Sequence, residues 1–197
     1  MNYELVSALA AFALVSSITP GPNNLMLMAS GANFGFKRTL PHMVGISLGF
    51  AFMVILVGAG LVQIFDRFPI TYQLMKIVSV IYLVYLSWKI ATASKPENDN
   101  QSSKPMTFFA AALFQWVNPK AWVMALTAIS VYTPSQDMKA ILLVGFVFAV
   151  VNLPSVSTWA MLGQQMQRLL TSQKRLKFFN LAMAALLLSS LYPVFTS

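Results

Sequence analysis

Along this chain, hydrophobic positions come in long unbroken runs separated by short polar gaps. They show neither the strict alternation of half-buried strands nor the narrow apolar stripe of soluble helices. A membrane-spanning helix needs about 20 mostly apolar residues. Six runs meet that description: residues 5–36, 40–64, 70–90, 107–132, 140–163 and 178–195. The pattern predicts an all-α integral membrane protein with six transmembrane helices. The first run is too long for one straight helix and contains "ITPGPNN", where Pro20 and Pro22 remove two amide donors and Gly21 loosens the backbone. It is expected to cross once as two half-helices. The last run is short, and Pro193 near its end suits a helix terminus at the interface. The one clearly polar gap, "SKPENDNQSSKP" at 94–105, joins halves spanning 1–93 and 106–197 of a single transmembrane domain.

Composition fixes the solvent and charge fixes the expected orientation. With 57% hydrophobic and only 9% charged residues, the chain carries too little charge for a soluble surface. The net charge of +8 would suggest nucleic acid in a polar chain, but here the basic residues lie between apolar runs, where positive-inside bias puts them. Nucleic-acid binding is excluded on that ground. Lys37, Arg38, Lys89, Lys95, Lys104, Arg168, Lys174, Arg175 and Lys177 fall in the first, third and fifth connections, against Arg67, Lys76 and Lys139 on the other side. The odd connections, including 94–105, are therefore expected in the cytoplasm and both termini outside. The first 18 residues hold Glu4 but no Lys or Arg, which argues against a cleaved signal peptide. The absence of cysteine excludes disulfides, thiolate metal sites and a thiol-redox carrier. The runs also lack the buried His, Asp or Glu that acid–base or metal catalysis needs, so no enzyme, metal or cofactor is expected.

Three runs before the polar gap and three after it would cross in opposite senses, the arithmetic of two inverted three-helix repeats. Pro22 in the first run has a counterpart in Pro119 of the fourth, each beside an asparagine ("PGPNN" and "WVNPKAW"), and Gly45 matches Gly145 in the second and fifth. Two broken spans in corresponding positions point to a binding site at the membrane midplane. "VNLPS" at 151–155 adds a proline break to the fifth run.

Backbone groups freed by such a break are tolerated only where protein or water surrounds them, so an internal cavity is expected. Asn23 or Asn24 is placed to cap the second half-helix, whose amides and positive dipole end suit a carboxylate. Lys120 lies mid-run, about 18–20 Å from either end of a helix, and its ~6 Å stem cannot carry the charge to water. Glu4, Asp66, Glu97, Asp99 and Asp137 are all terminal or in connections. The expected counter-ion of Lys120 is therefore a substrate carboxylate, with carbonyls freed by Pro119 as the alternative. Gln115, Asn118 and Pro119 adjoin it, and Asn152 is a candidate ligand for an ammonium group. The substrate-site candidates are thus Pro20, Gly21, Pro22, Asn23, Asn24, Gln115, Asn118, Pro119, Lys120 and Asn152, with a packing kink as the competing explanation of the break. Trp116, Trp122 and Trp159 are candidate lining residues, and His42, the only histidine, is expected at the interface. "GANFG" (31–35) and "GISLG" (45–49) have the spacing for close helix contact, either within one subunit or between two in a homodimer.

The stretch "TPGPNNLMLMASGANFGFKRTLPHMVGISLGF" resembles the signature of the LysE/RhtB superfamily of bacterial amino-acid exporters. "IYLVYLSWKIATAS" resembles the end of that family's third span, and "KPMTFFAAALFQWVNPKAW" its fourth. Within the superfamily, "TPGPNN", "GISLGF" and "SWKIATAS" are most similar to the cysteine and O-acetylserine exporters. The resemblance implies efflux of small neutral amino acids or their derivatives across the cytoplasmic membrane, driven by proton antiport, with membrane lipid as the surroundings. Lys120 is the candidate for proton exchange, in a cycle of alternating access in which the halves rock about a midplane site. A non-transporting membrane scaffold and a facilitator for another small zwitterion are the alternatives.

Overall fold

In hydrocarbon a segment must satisfy its own backbone, which favours helices. Every regular element among the described residues of the computed structural model is helical; these residues are 3–61, 63, 67, 68, 70–93, 104–133 and 137–192. In order they are α1 (Tyr3–Ile18), α2 (Pro22–Phe34), α3 (Phe36–Leu56, prolonged by a π turn Val57–Leu61), α4 (Ile70–Ala91), α5 (Phe108–Phe114, prolonged by a 3-10 turn Gln115–Val117), α6 (Pro119–Tyr132), α7 (Met138–Met166) and α8 (Gln173–Ser189). Pro193, Asp66, Glu97, Asp99 and residues 94–103 of the polar connection lie outside the described residues.

Three of these helices are long and apolar enough to cross a membrane: α3 with its π turn, α4 and α7. A fourth crossing is added if α1 and α2, bent by 55° at the Pro20–Gly21 break, count as one span. The expected six spans in two inverted three-helix repeats are not what forms. The fourth run divides into the 7-residue α5 and the 14-residue α6, neither long enough alone. The last run yields the 17-residue α8, whose first turns carry Lys174, Arg175 and Lys177, so only its later part is apolar. The fifth run departs in the other direction, because α7 continues through Pro154 for 29 residues without the expected break. The hydroxyls just beyond the proline bond to other carbonyls of α7, not to that of Val150, which loses its amide donor at Pro154. Ser155 Oγ donates to the Val151 carbonyl at 2.8 Å and Thr158 Oγ1 to that of Ser155 at 2.6 Å.

Helix packing here is backbone against backbone. A Cβ on Gly31 of α2 would lie 2.1 Å from the Ala160 carbonyl oxygen of α7, and one on Gly163 of α7 would lie 2.1 Å from that of Met28. Gly45 and Gly49 of α3 make the same kind of contact with Phe108 and Ala112 of α5. Both small-residue faces read from the sequence are thus filled within the chain. Between α2 and α3 the chain turns at Gly35, whose φ of 79° favours glycine. Phe12, Phe50 and Phe148 interlock edge-to-face where α1, α3 and α7 meet. On the outside, Ile77, Val78, Ile81, Val84 and Trp88 of α4 are exposed. An apolar exterior on spanning helices makes this a multi-pass membrane protein with lipid as its surroundings.

Candidate functional site

Pro20 and Pro22 cannot donate to the turn before them, so the carbonyls at the end of α1 need other partners. Each one finds a side chain. The Ser16 carbonyl accepts from Thr19 Oγ1 at 3.0 Å, that of Ser17 from Asn24 Nδ2 at 2.8 Å, and that of Ile18 from Trp159 Nε1 at 3.0 Å. The Thr19 carbonyl accepts from Asn24 Nδ2 and from Lys120 Nζ, both at 2.7 Å. Lys120 Nζ also donates to Thr19 Oγ1 at 2.9 Å and to the Pro20 carbonyl at 3.4 Å. A cation is favoured at this position because the C-terminal end of a helix carries partial negative charge.

Two details differ from the sequence reading. Asn24 fastens the end of α1 rather than capping α2, whose N-cap is Gly21 without a side-chain bond. Lys120 is paired with carbonyls freed by the first break, not by Pro119. Its stem lies so close to Gly21 that an added Cβ there would stand 2.7 Å from Lys120 Cδ. The second break forms as expected: Asn118 caps α6 by accepting from the Lys120 amide at 3.2 Å, with Pro119 in the first turn. Asn23 and Gln115 tie the breaks together through a reciprocal amide pair, at 2.8 and 3.2 Å.

These groups surround one small cavity of about 20 Å³. Gly21, Asn23 and Asn24 border it from α2, Gln115, Asn118 and Lys120 from the second break, and Asn152 from α7. Of the substrate-site candidates only the three prolines are not on its wall, shaping the two breaks instead, and none of the candidate lining residues Trp116, Trp122 and Trp159 borders it. Ser17 also lines it, with a buried hydroxyl that has no hydrogen-bond partner. The amides of Asn23 and Asn24 precede the first intrahelical bond of α2, from Leu25 N to the Gly21 carbonyl, so they are open to an anion. A volume of this size holds about one water, far below the ~300 Å³ of a ligand pocket. The site is too small for a ligand here.

Thr19, Ser17 and Trp159 were not expected as polar partners at the break. Trp122 is spent on the Trp116 carbonyl at 2.8 Å. His42 is 2% exposed inside the protein, contrary to the interfacial position expected for it. Among the described residues no group of His, Asp or Glu could hold a metal ion; Glu4 and Asp137 are both exposed.

A family model described as LysE type translocator matches residues 14–190. Proteins named cysteine/O-acetylserine efflux protein from Escherichia coli strain K12, Escherichia coli O139:H28 and Shigella sonnei strain Ss046 are each 31% identical over 200 residues, covering 99% of this chain and 100% of the relative. No solved structure gives a significant match. A chain matched over nearly its whole length by a translocator family, and carrying a small polar cavity between two helix breaks, belongs to the LysE type translocators and is a membrane exporter of small molecules, not an enzyme.

Proposed function

We propose that this protein exports a small neutral amino acid of the cysteine or O-acetylserine class across the bacterial cytoplasmic membrane, by alternating access coupled to protons. The observation that carries the reading is the seat of the Lys120 ammonium on the carbonyls of Thr19 and Pro20. An amino acid presents the same ammonium together with a carboxylate. Its ammonium would take those carbonyls and the Ser17 hydroxyl, while its carboxylate would take the open amides of Asn23 and Asn24 and the Asn152 amide. Gln115, Asn118 and the three prolines hold these groups in place. The lack of a buried carboxylate among the described residues favours neutral over cationic substrates.

Displacement of one ammonium by another supplies the coupling. Two cations cannot share the same carbonyls without strong repulsion, so the displaced Lys120 releases its proton to cytoplasmic water. After the substrate leaves on the far side, Lys120 takes a proton from that side and returns to Thr19 and Pro20. One proton then moves inward for each zwitterion exported, which is antiport.

The test is counterflow in proteoliposomes with labelled O-acetylserine. Wild-type protein is expected to exchange label against unlabelled neutral amino acids and, under an imposed proton gradient, to concentrate it. Lys120→Met should still exchange but no longer concentrate, since exchange never needs the empty carrier to return. Failure of folded wild-type protein to exchange any amino acid would sink the exporter reading. Gradient-driven accumulation by the mutant would sink the role given to Lys120.

A further inference from the structure

A second cavity, of about 370 Å³, lies further along α2 and α5. Asn23 and Gln115 border the central cavity, whereas Ser30 and Ala110, on the same two helices, border this one. Between those positions on each helix stand Met26 and Phe114, which pack in one apolar cluster. The larger cavity falls within the size range of small-molecule sites.

Its chemistry is one-sided. Lys89 and Lys104 line it, no carboxylate does among the described residues, and Tyr82 and Tyr85 supply aromatic walls. His42 lines it too, with both ring nitrogens buried and without a partner. Among the described residues the other buried side-chain polar atoms without a partner are single hydroxyls, of Ser17, Ser47 and Ser87, so an imidazole with both nitrogens left unbound stands out. Lys89 precedes the polar connection 94–105 and Lys104 lies within it, and positive-inside bias assigns such lysines to the cytoplasmic side.

We propose that this cavity is a separate loading site, where the carboxylate of the substrate is first held by His42, Lys89 and Lys104 before the molecule passes Met26 and Phe114 to the central cavity. The inference rests on the export reading. A flexible methionine suits a partition that must part and re-form.

The experiment compares half-saturation for labelled O-acetylserine from each face of oriented proteoliposomes made of phosphatidylcholine. His42→Met removes both ring nitrogens at similar size, and Ala110→Phe fills the cavity from its other wall. Loss of the charge-assisted contact in the first variant and exclusion of the substrate in the second are each expected to raise half-saturation about tenfold at the cytoplasmic face, and less than about twofold at the other. Equal changes at both faces, or none, would overturn the loading site while leaving the exporter intact. So would a cytoplasmic-face difference between wild type and variants that arises only when phosphatidylglycerol is added, because the cavity would then serve a lipid phosphate. Absence of wild-type exchange would remove the export reading and this inference with it.

Discussion

At the scale of the residue, the break near Pro20 is an exercise in finding donors for stranded carbonyls, and the donors differ in what they can be replaced by. Asn24 serves two carbonyls from one amide nitrogen. In membrane proteins such bonds contribute about 0.6 kcal/mol each on average, rising to ~1.7. Asn24→Leu should therefore lose about 1–2 kcal/mol, a fall in Tm of roughly 2–8 °C for a chain of this length, measurable by thermal unfolding in detergent. At Lys120 the expected order of substitutions is the reverse of chemical similarity. Arginine cannot give up its proton and would stay on the carbonyls. Lys120→Arg should exchange label far more slowly than Lys120→Met, and equal rates would argue against displacement.

At the scale of the element, sequence signals succeeded where a local group decided the outcome. Pro-Gly-Pro has no way to continue a helix, and Asn-Pro inside an apolar run makes a cap and a first turn, so the breaks could be read at Pro20 to Pro22 and at Asn118. Pro154 looked equivalent, yet α7 runs through it, because a lone proline without a neighbouring glycine removes one bond and leaves the rest of the ladder intact. The six-span count failed for a related reason: apolar length was taken as helical length, although α5 and α6 are separated by their break. Within the site, the cavity and most of its wall were legible from Gly21 to Lys120. The identity of the carbonyl donors was not, since Trp159 meets Ile18 only through the packing of α1 on α7. That packing has its own expected outcome. Gly163→Leu puts a side chain into the Met28 backbone, where overpacking costs about 1–3 kcal/mol or more. It should abolish monodisperse protein on size exclusion, while the exposed Ile81→Ala should leave the profile unchanged and stability within about 0.5 kcal/mol.

At the scale of the whole molecule, the charge carried on each limb of the cycle follows from which ammonium sits on the carbonyls. The loaded carrier would hold a zwitterion and a neutral Lys120, and the empty one a protonated Lys120. Export is therefore expected to be electrogenic, with one positive charge entering per substrate leaving. A potassium diffusion potential, negative on the cytoplasmic side, should accelerate concentrative export of label without any pH difference. Indifference to potential would point to facilitated export.

α2 is pinned near both ends by reciprocal amide pairs, Asn23 with Gln115 at the start and Asn33 with Asn180 of α8 near the finish, at 2.8 and 3.1 Å for the latter. Asn180 also donates to the Ala93 carbonyl just beyond α4. A reciprocal pair cannot be half released, because turning either amide away forfeits both bonds together. Release of α2 at either end would therefore cost two bonds at once, so the ends of this helix are held more firmly than a single contact would hold them.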